Sequence, residues 1–482
     1  MRHTFSATCV AACVYAGAVL ATPIVGWCAE AGPAVPSPLD EAVATMRGIR
    51  PEEFKGARAK AKGKALNEAW QTLTEAGPTG AARLKKELAT LCARNEKDDY
   101  FKLAAAALLW QIRKTKEADT VARIWSGGVD LSVNYNYVFY TAYEAARTQD
   151  EAVLSMLSAL LGDRAGRVFL NQHMMWVPWP LSHEFVWGAF GPKGLPALLR
   201  VLRETTDETA RASAIHLLAK AHHLPALGAI RRLAAEGADP VRREAVKALG
   251  TFGHPEDFAF LVAGLQTDDP DKAWAFAYAL YEYEDLRAVP HLVPLLKSGD
   301  EALRAEVVAC LSHLATPAAV DALHRHAAEA PLEEGRKETG ETVAGMLRRA
   351  GTSWDDYAAV AEDAQARVLA ALREDREGIY RLKPGDRRLT HADLLKAAAE
   401  WQEAGRITGG TYEWVEERHV LDAATAEDIP LLLDVEAKVY RRLSDECLYE
   451  IRTLDTLIRR LGRRRYREHV GVCDAVRLPD AP

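Results

Sequence analysis

Phenylalanine is scarce in this chain, with 11 residues in 482. Long stretches are instead rich in Ala, Leu, Arg and Glu. Aromatic and β-branched residues favour sheets, whereas Ala, Leu, Arg and Glu favour helices, so the imbalance argues against a sheet-built protein. No charge of one sign dominates either: 61 Lys and Arg against 68 Asp and Glu leave a formal net charge of −7. That excludes a molecule-wide basic surface for nucleic acid. A hydrophobic content of 49% excludes wholesale disorder. The sequence contains no G-x-S-x-G, no phosphate-binding glycine loop, no H-E-x-x-H and no C-x-x-C. No bound cofactor is therefore expected.

Long apolar runs are missing except at the start. MRHTFSATCVAACVYAGAVLATPIVGWCAEAG opens with Arg2 and His3, runs apolar from Cys9 to Val25, and places Ala29 and Ala31 in A-x-A spacing. This is the layout of a secretory signal peptide over residues 1–31, cleaved after Ala31. An uncleaved anchor is the alternative; a lipoprotein fits less well, because Trp27 precedes Cys28 where a small residue is needed. The mature chain is expected to be exported, to the periplasm or beyond the cell, without a membrane span. Of seven cysteines, Cys9, Cys13 and Cys28 belong to the leader or its edge. Cys92, Cys310, Cys447 and Cys473 remain, read as buried helical thiols, with a Cys447–Cys473 bridge as the alternative in an oxidising compartment.

The chain does have a period. Stepping by 31 residues gives Trp125, Met156, Trp187, Leu218, Leu249, Leu280 and Leu311, all large and apolar. A second column holds Leu199, Ile230, Leu261, Leu292 and Leu323, preceded by Tyr137 and Val168. A third is Val121, Ala152, His183, Ala214, Ala245, Phe276 and Val307. Several columns in one register signal a repeat array. Each unit reads as two helices. Leu227, Ile230 and Leu233 share a face of the first. Asp239 is expected to cap the second, with Pro240 at its first position and Ala245, Ala248 and Leu249 inward. Gly250 and Gly253 are expected to close it.

The segments DPVRREAVKALGTFGHPEDFAFLVAGL (239–265), residues 269–296 and DEALRAEVVACLSHLATPAAVDAL (300–323) resemble HEAT repeats, of the short bacterial kind seen in phycobilin lyase-type proteins. The resemblance implies an all-α, right-handed α-solenoid of HEAT-like helix pairs. Its parts would be an N-terminal linker with irregular helices (32–101), degenerate repeats (102–194), regular repeats (195–350) and a C-terminal helical region capping the open end (351–482). It also implies a concave surface lined by second helices. Arg211, Lys220, Arg242, Lys247 and Arg304 are expected on or near it as partner-binding residues.

HMMWVPWPLSHEFVWG (173–188) stands out for its three tryptophans. Register places Trp187 in the core, and residues 172–180 between helices as a proline-stiffened ordered loop. Met174, Met175, Trp176 and Trp179 either pack over a junction or form an exposed aromatic patch for a partner or a sugar ring. His183 is the polar member of an apolar column and forms the one His-Glu dyad of the sequence with Glu184. HEAT-like metal hydroxylases carry several such dyads; one gives too few ligands, so no metal is expected. His183 is read as a buried, hydrogen-bonded histidine, and His222-His223 and His324-x-His326 are weaker candidates still. RRLGRRRYR (459–467) holds six arginines: Arg459, Arg460, Arg463, Arg464, Arg465 and Arg467. They form either a solvated face or a contact for an anionic polysaccharide or lipid headgroup. The reading of function is an exported, non-catalytic scaffold for a protein partner, not for nucleic acid. Its alternatives are a lyase or hydroxylase in the same solenoid, and a carbohydrate module using Trp176 and Trp179.

Overall fold

The computed structural model describes residues 36–48, 59–94, 96–162, 167–170, 175–178, 181–283, 285–314, 317–329 and 426–441, with further positions between 451 and 462. The leader, Cys447, Cys473 and the helices expected between 351 and 425 lie outside the described residues. The chain divides into two units, the second starting at His183. Among the described residues, no helix is long and apolar enough to cross a membrane.

The first unit contains helices α1 (Pro38–Gly48), α2 (Ala59–Glu75), α3 (Pro78–Ala93), α4 (Asp99–Arg113), α5 (Ala118–Ser126), α6 (Tyr135–Arg147) and α7 (Leu154–Leu160). Helix α4 is apolar around most of its circumference and is buried from Tyr100 to Trp110 except at Lys102, which makes it the centre of this unit. Asp98 caps it by accepting from the Phe101 amide at 3.2 Å. Cys92 on α3 is exposed, against expectation, because the core face of α3 is set by Leu84, Leu88 and Leu91.

The segment read as an ordered loop between helices is instead part of a hairpin. Strands β1 (Arg167–Leu170) and β2 (Met175–Pro178) pair antiparallel, with Phe169 opposite Trp176 and Val168 opposite Val177. Val168, counted in a helical column, thus lies in a strand. Alternating aromatic and β-branched residues suit a pleated ladder, and Pro178 stands at a strand end, where a missing N–H is tolerated.

The second unit starts with α8 (Leu181–Phe190) and continues in helix pairs: α9 (Leu195–Glu204) with α10 (Glu208–Lys220), α11 (Leu227–Glu236) with α12 (Asp239–Phe252), and α13 (Phe258–Gly264) with α14 (Pro270–Tyr283). Then come α15 (Val289–Leu292), extended by a 3-10 turn Val293–Lys297, with α16 (Glu301–Leu314) and, after these, α17 (Pro317–Glu329). The second helices α10, α12, α14 and α16 pack side by side. This is an α-solenoid, and the seven residues of the first column, from Trp125 to Leu311, are all buried. Gly250 brings two second helices together, since a Cβ there would run into the Ala279 backbone of α14. Gly253 ends α12 in the left-handed conformation at φ 61°.

The caps follow the period more strictly than expected. Asp207, Asp269 and Asp300 are separated by multiples of 31 residues, and each accepts from amides in the first turn of its second helix. In α12 that position is Ala238, so Asp239 is the first helical residue rather than the cap, and its carboxylate accepts from Arg242.

Leu249 is 1% exposed. Leu249→Ala is expected to destabilise the second unit by about 2–5 kcal/mol, through lost burial and the cavity left behind. A urea melt followed by circular dichroism checks this, and an unchanged transition would mean that the register is misassigned.

Candidate functional site

Beside each apolar column runs a polar one on the same second helices. Steps of 31 relate Ser213, Glu244, Ala275 and Glu306; His216, Lys247, Tyr278 and Ala309; and Lys220, Thr251 and Glu282. On α10 and α12 these positions are three or four apart, hence on one helical face. The repeat therefore lines up titratable side chains from neighbouring helices.

Glu184 on α8 starts the network. The His216 Nε2 lies 2.7 Å from its Oε1, and the His216 Nδ1 lies 3.4 Å from Glu244 Oε1. With a carboxylate at each ring nitrogen, the imidazole donates from both and is cationic. Burial alone would lower its pKa, but the hydrogen bonds from Glu184 and Glu244 outweigh burial and raise it to about 9. Burial would likewise push Glu184 up, yet Lys220 and His216 bring it down to about 2. Glu244 is also held at about 2, because His216 and Lys247 offset its burial. The Lys247 Nζ sits 3.1 Å from Glu244 and 5.2 Å above the Tyr278 ring. That cation–π contact fixes the ammonium between two helices.

The other wall of the site comes from the C-terminal segment. Helix α18 (Ile429–Tyr440) carries Glu436 and Tyr440 one turn apart, and the positions described beyond it are helical at 451, 454, 455, 458, 459 and 462. Lys220 pairs with Asp455 and lies 3.8 Å from Glu184. Its burial is outweighed by these two carboxylates, which hold the ammonium above the ordinary lysine range. Arg459 pairs with Glu282. Arg441 donates from Nε to the Ala189 carbonyl near the end of α8 at 2.8 Å. Tyr440 lies edge-on to Phe185 at 5.6 Å, over Gly188, where a Cβ would collide with its ring. Glu436 is buried, and burial together with the neighbouring Asp455, its hydrogen-bond partner, pushes its pKa well up. Its Oε1 has no hydrogen-bond partner among the described residues.

In this network His216, Lys220, Lys247 and Arg459 face Glu184, Glu244, Glu282 and Asp455. The cavity left beside Glu184, Trp187, Lys220, Glu436 and Asp455 is about 60 Å³, well below the roughly 300 Å³ of a small-molecule pocket. Among the described residues, no group of three or more His, Cys, Asp and Glu is placed to hold a metal ion. Within this arrangement His216 has a carboxylate at each ring nitrogen.

Of the residues proposed from sequence, Lys220 and Lys247 stand in this network. Arg211, Arg242 and Arg304 do not join it. They sit in the first turns of α10, α12 and α16, where Arg211 donates to the Thr205 carbonyl, Arg242 to Asp239, and Arg304 to the Ser298 carbonyl at 2.6 Å. Arg211 and Arg304 thus brace the turn before their own helices, and Arg242 the first turn of its own. The side chains of Trp176 and Trp179 lie outside the described residues, as do Arg460, Arg463, Arg464, Arg465 and Arg467. His183 is buried, and its neighbour Glu184 is the network residue. His216, Glu244, Glu282, Glu436, Asp455 and Gly188 were missed; the polar columns beside Leu218 and Leu249 carry the signal for the first three.

Comparison with known proteins fits this architecture. A family model described as HEAT repeats matches residues 195–280 and 265–344. Phycocyanobilin lyase subunit alpha of Synechococcus elongatus is 40% identical over 85 residues, 18% of this chain and 30% of that protein. The match thus spans less than a third of that relative's length. The solved structure of human deoxyhypusine hydroxylase in complex with glycerol is 20% identical and covers 64% of this chain and 96% of that one, with a TM-score of 0.24. The described helix pairs between residues 195 and 329, with their buried columns, agree with that match to HEAT repeats.

Proposed function

We propose that this chain is an exported, non-catalytic scaffold that binds a polypeptide partner on the face formed by its second helices. The observation that supports it most is the seating of the chain's own C-terminal segment on that face, across α8, α10 and α14, through charged and aromatic side chains. A surface that holds one helix by such contacts is suited to another. The name of the cyanobacterial relative, a lyase subunit, also fits a protein that works alongside a second chain. Export rests on the character of residues 1–31.

An enzymatic reading draws on the same cluster, because Glu184, His216, Lys220 and Glu244 bring acid–base groups together. Against it stands the state of those groups: the histidine is held protonated by two carboxylates, far from the poise of a base at neutral pH.

Used as bait in envelope extract, the tagged full-length chain is expected to retain a polypeptide in near-stoichiometric amount. Lys247→Glu, which places a second carboxylate beside Glu244 and over Tyr278, is expected to reduce that retention at least tenfold. Equal retention by the variant would reject the second-helix face as the binding surface, and a bait found wholly inside the cell would reject export.

A further inference from the structure

The C-terminal segment meets the second-helix face with a definite chemical pattern. Asp455 and Arg459 are four residues apart, hence on one side of a helical stretch, and they meet Lys220 and Glu282 respectively. The face therefore offers a cation at α10 and an anion at α14, complementary to an acid-x-x-x-base helix in one orientation. A second determinant lies at α8. Gly188 leaves a notch filled by the Tyr440 ring, walled by Phe185, with the Arg441 guanidinium on the adjacent Ala189 carbonyl. At the matching position of α12, Gly250 lies against the backbone of the next helix, whereas the atoms nearest a Cβ at Gly188 belong to the Tyr440 ring, from a distant part of the chain.

The fit of the chain's own segment is imperfect. It buries Glu436 beside Asp455, two carboxyl groups facing one ammonium, and leaves Glu436 Oε1 without a partner among the described residues. A buried acceptor left unmade weakens docking. A foreign helix with an apolar or amide side chain there would satisfy Lys220 without this penalty.

We infer that Tyr440, Arg441, Asp455 and Arg459 occupy, in cis, a receptor for an external helix with the same pattern: an acidic residue four positions before a basic one for Lys220 and Glu282, and an aromatic residue for the Gly188 notch. This rests on the scaffold reading above and names its partner by chemistry. The segment is then a built-in competitor, and partner binding requires its displacement.

The test uses a fluorescent peptide of residues 426–462, with Cys447→Ser, titrated with full-length protein and read by anisotropy. Wild type is expected to bind it weakly, because the cis segment holds the site at high effective concentration. Full-length Asp455→Lys/Arg459→Glu is expected to bind it at least tenfold more tightly, and Gly188→Leu added to that variant is expected to lose the gain. A peptide bearing the same two reversals is expected to fail on that variant and to bind full-length Lys220→Glu/Glu282→Lys that keeps its own Asp455 and Arg459. Should the double variant fold poorly by circular dichroism, Asp455→Asn replaces it, with a smaller gain expected. Equal peptide binding by wild type and the opened variant, or indifference to charge reversal, overturns the inference. If the envelope partner is still captured in that event, the scaffold reading stands and the shared pattern alone falls. If neither partner nor peptide binds, both fall.

Discussion

Trp187→Ala is expected to destabilise the second unit by about 3–5 kcal/mol, the range for emptying an aromatic core position. The side chain is 4% exposed, and its ring lies against Gly194, where an added Cβ would come within 3.1 Å of it. It also walls the small cavity beside Leu198, Leu217 and Tyr440. Truncation would join the vacated volume to that cavity, and neighbours already shaped around a void collapse poorly. Among the described residues the buried indole Nε1 has no hydrogen-bond partner, so part of what the ring gains by burial is lost on its unmet donor. Trp187→Phe removes that donor and keeps most of the apolar surface; it is expected to change stability by less than about 1.5 kcal/mol. Urea melts of the three proteins, followed by circular dichroism, separate the outcomes. Equal losses for Phe and Ala would mean that the indole nitrogen has a partner that matters.

The position of Trp187 was legible because a solenoid repeats its core. A residue 31 positions from Leu218 and 62 from Leu249 occupies an equivalent environment, and the buried column extends to Trp125. The cap column was equally legible in principle, but aligning on Asp239 rather than on Asp207, Asp269 and Asp300 displaced it by one residue. Two features were hidden for physical reasons. The β1–β2 hairpin has strands of four residues each, too short for alternation to stand out from a segment broken by Pro178 and Pro180. The C-terminal segment lies outside the period. The pairing of Lys220 with Asp455 joins residues 235 apart, and no spacing rule within a repeat reports on a contact of that range. The expected role of the region, closing the open end of the stack, did not place its described residues. They lie against α8, α10 and α14, where the polar columns supply partners. For the same reason the single His-Glu dyad misdirected attention to His183. Glu184 acquires its importance from a histidine one repeat away.

The second large effect is expected at His216. His216→Gln removes the cation between Glu184 and Glu244 and leaves two buried carboxylates facing each other with only Lys220 and Lys247 for compensation. Removing one partner from a buried ionic group costs about 3 kcal/mol or more, and the amide recovers only part of it. The pH dependence carries the signature. The folded-state pKa of His216, about 9, lies above its ordinary 6.5, so its stabilisation is fully present below pH 6.5 and is lost as pH rises through 9. Glu184 and Glu244, at about 2 against an ordinary 4.5, stabilise above pH 4.5 and lose that contribution as pH falls toward 2. His216→Gln is therefore expected to flatten the wild-type decline between pH 6.5 and 9 and to bring acid unfolding to a higher pH. Glu436 also feeds the alkaline side. Its raised pKa means that stability is lost as pH climbs from 4.5 through the folded value. Glu436→Gln, which supplies a neutral side chain of the same shape, removes that decline and leaves the step between 6.5 and 9 in place. Urea midpoints measured from pH 3 to 10 for wild type and both variants resolve the two contributions. A His216→Gln profile parallel to wild type above pH 6.5 would show that the imidazole is not held as a cation, and the network would lose its central member.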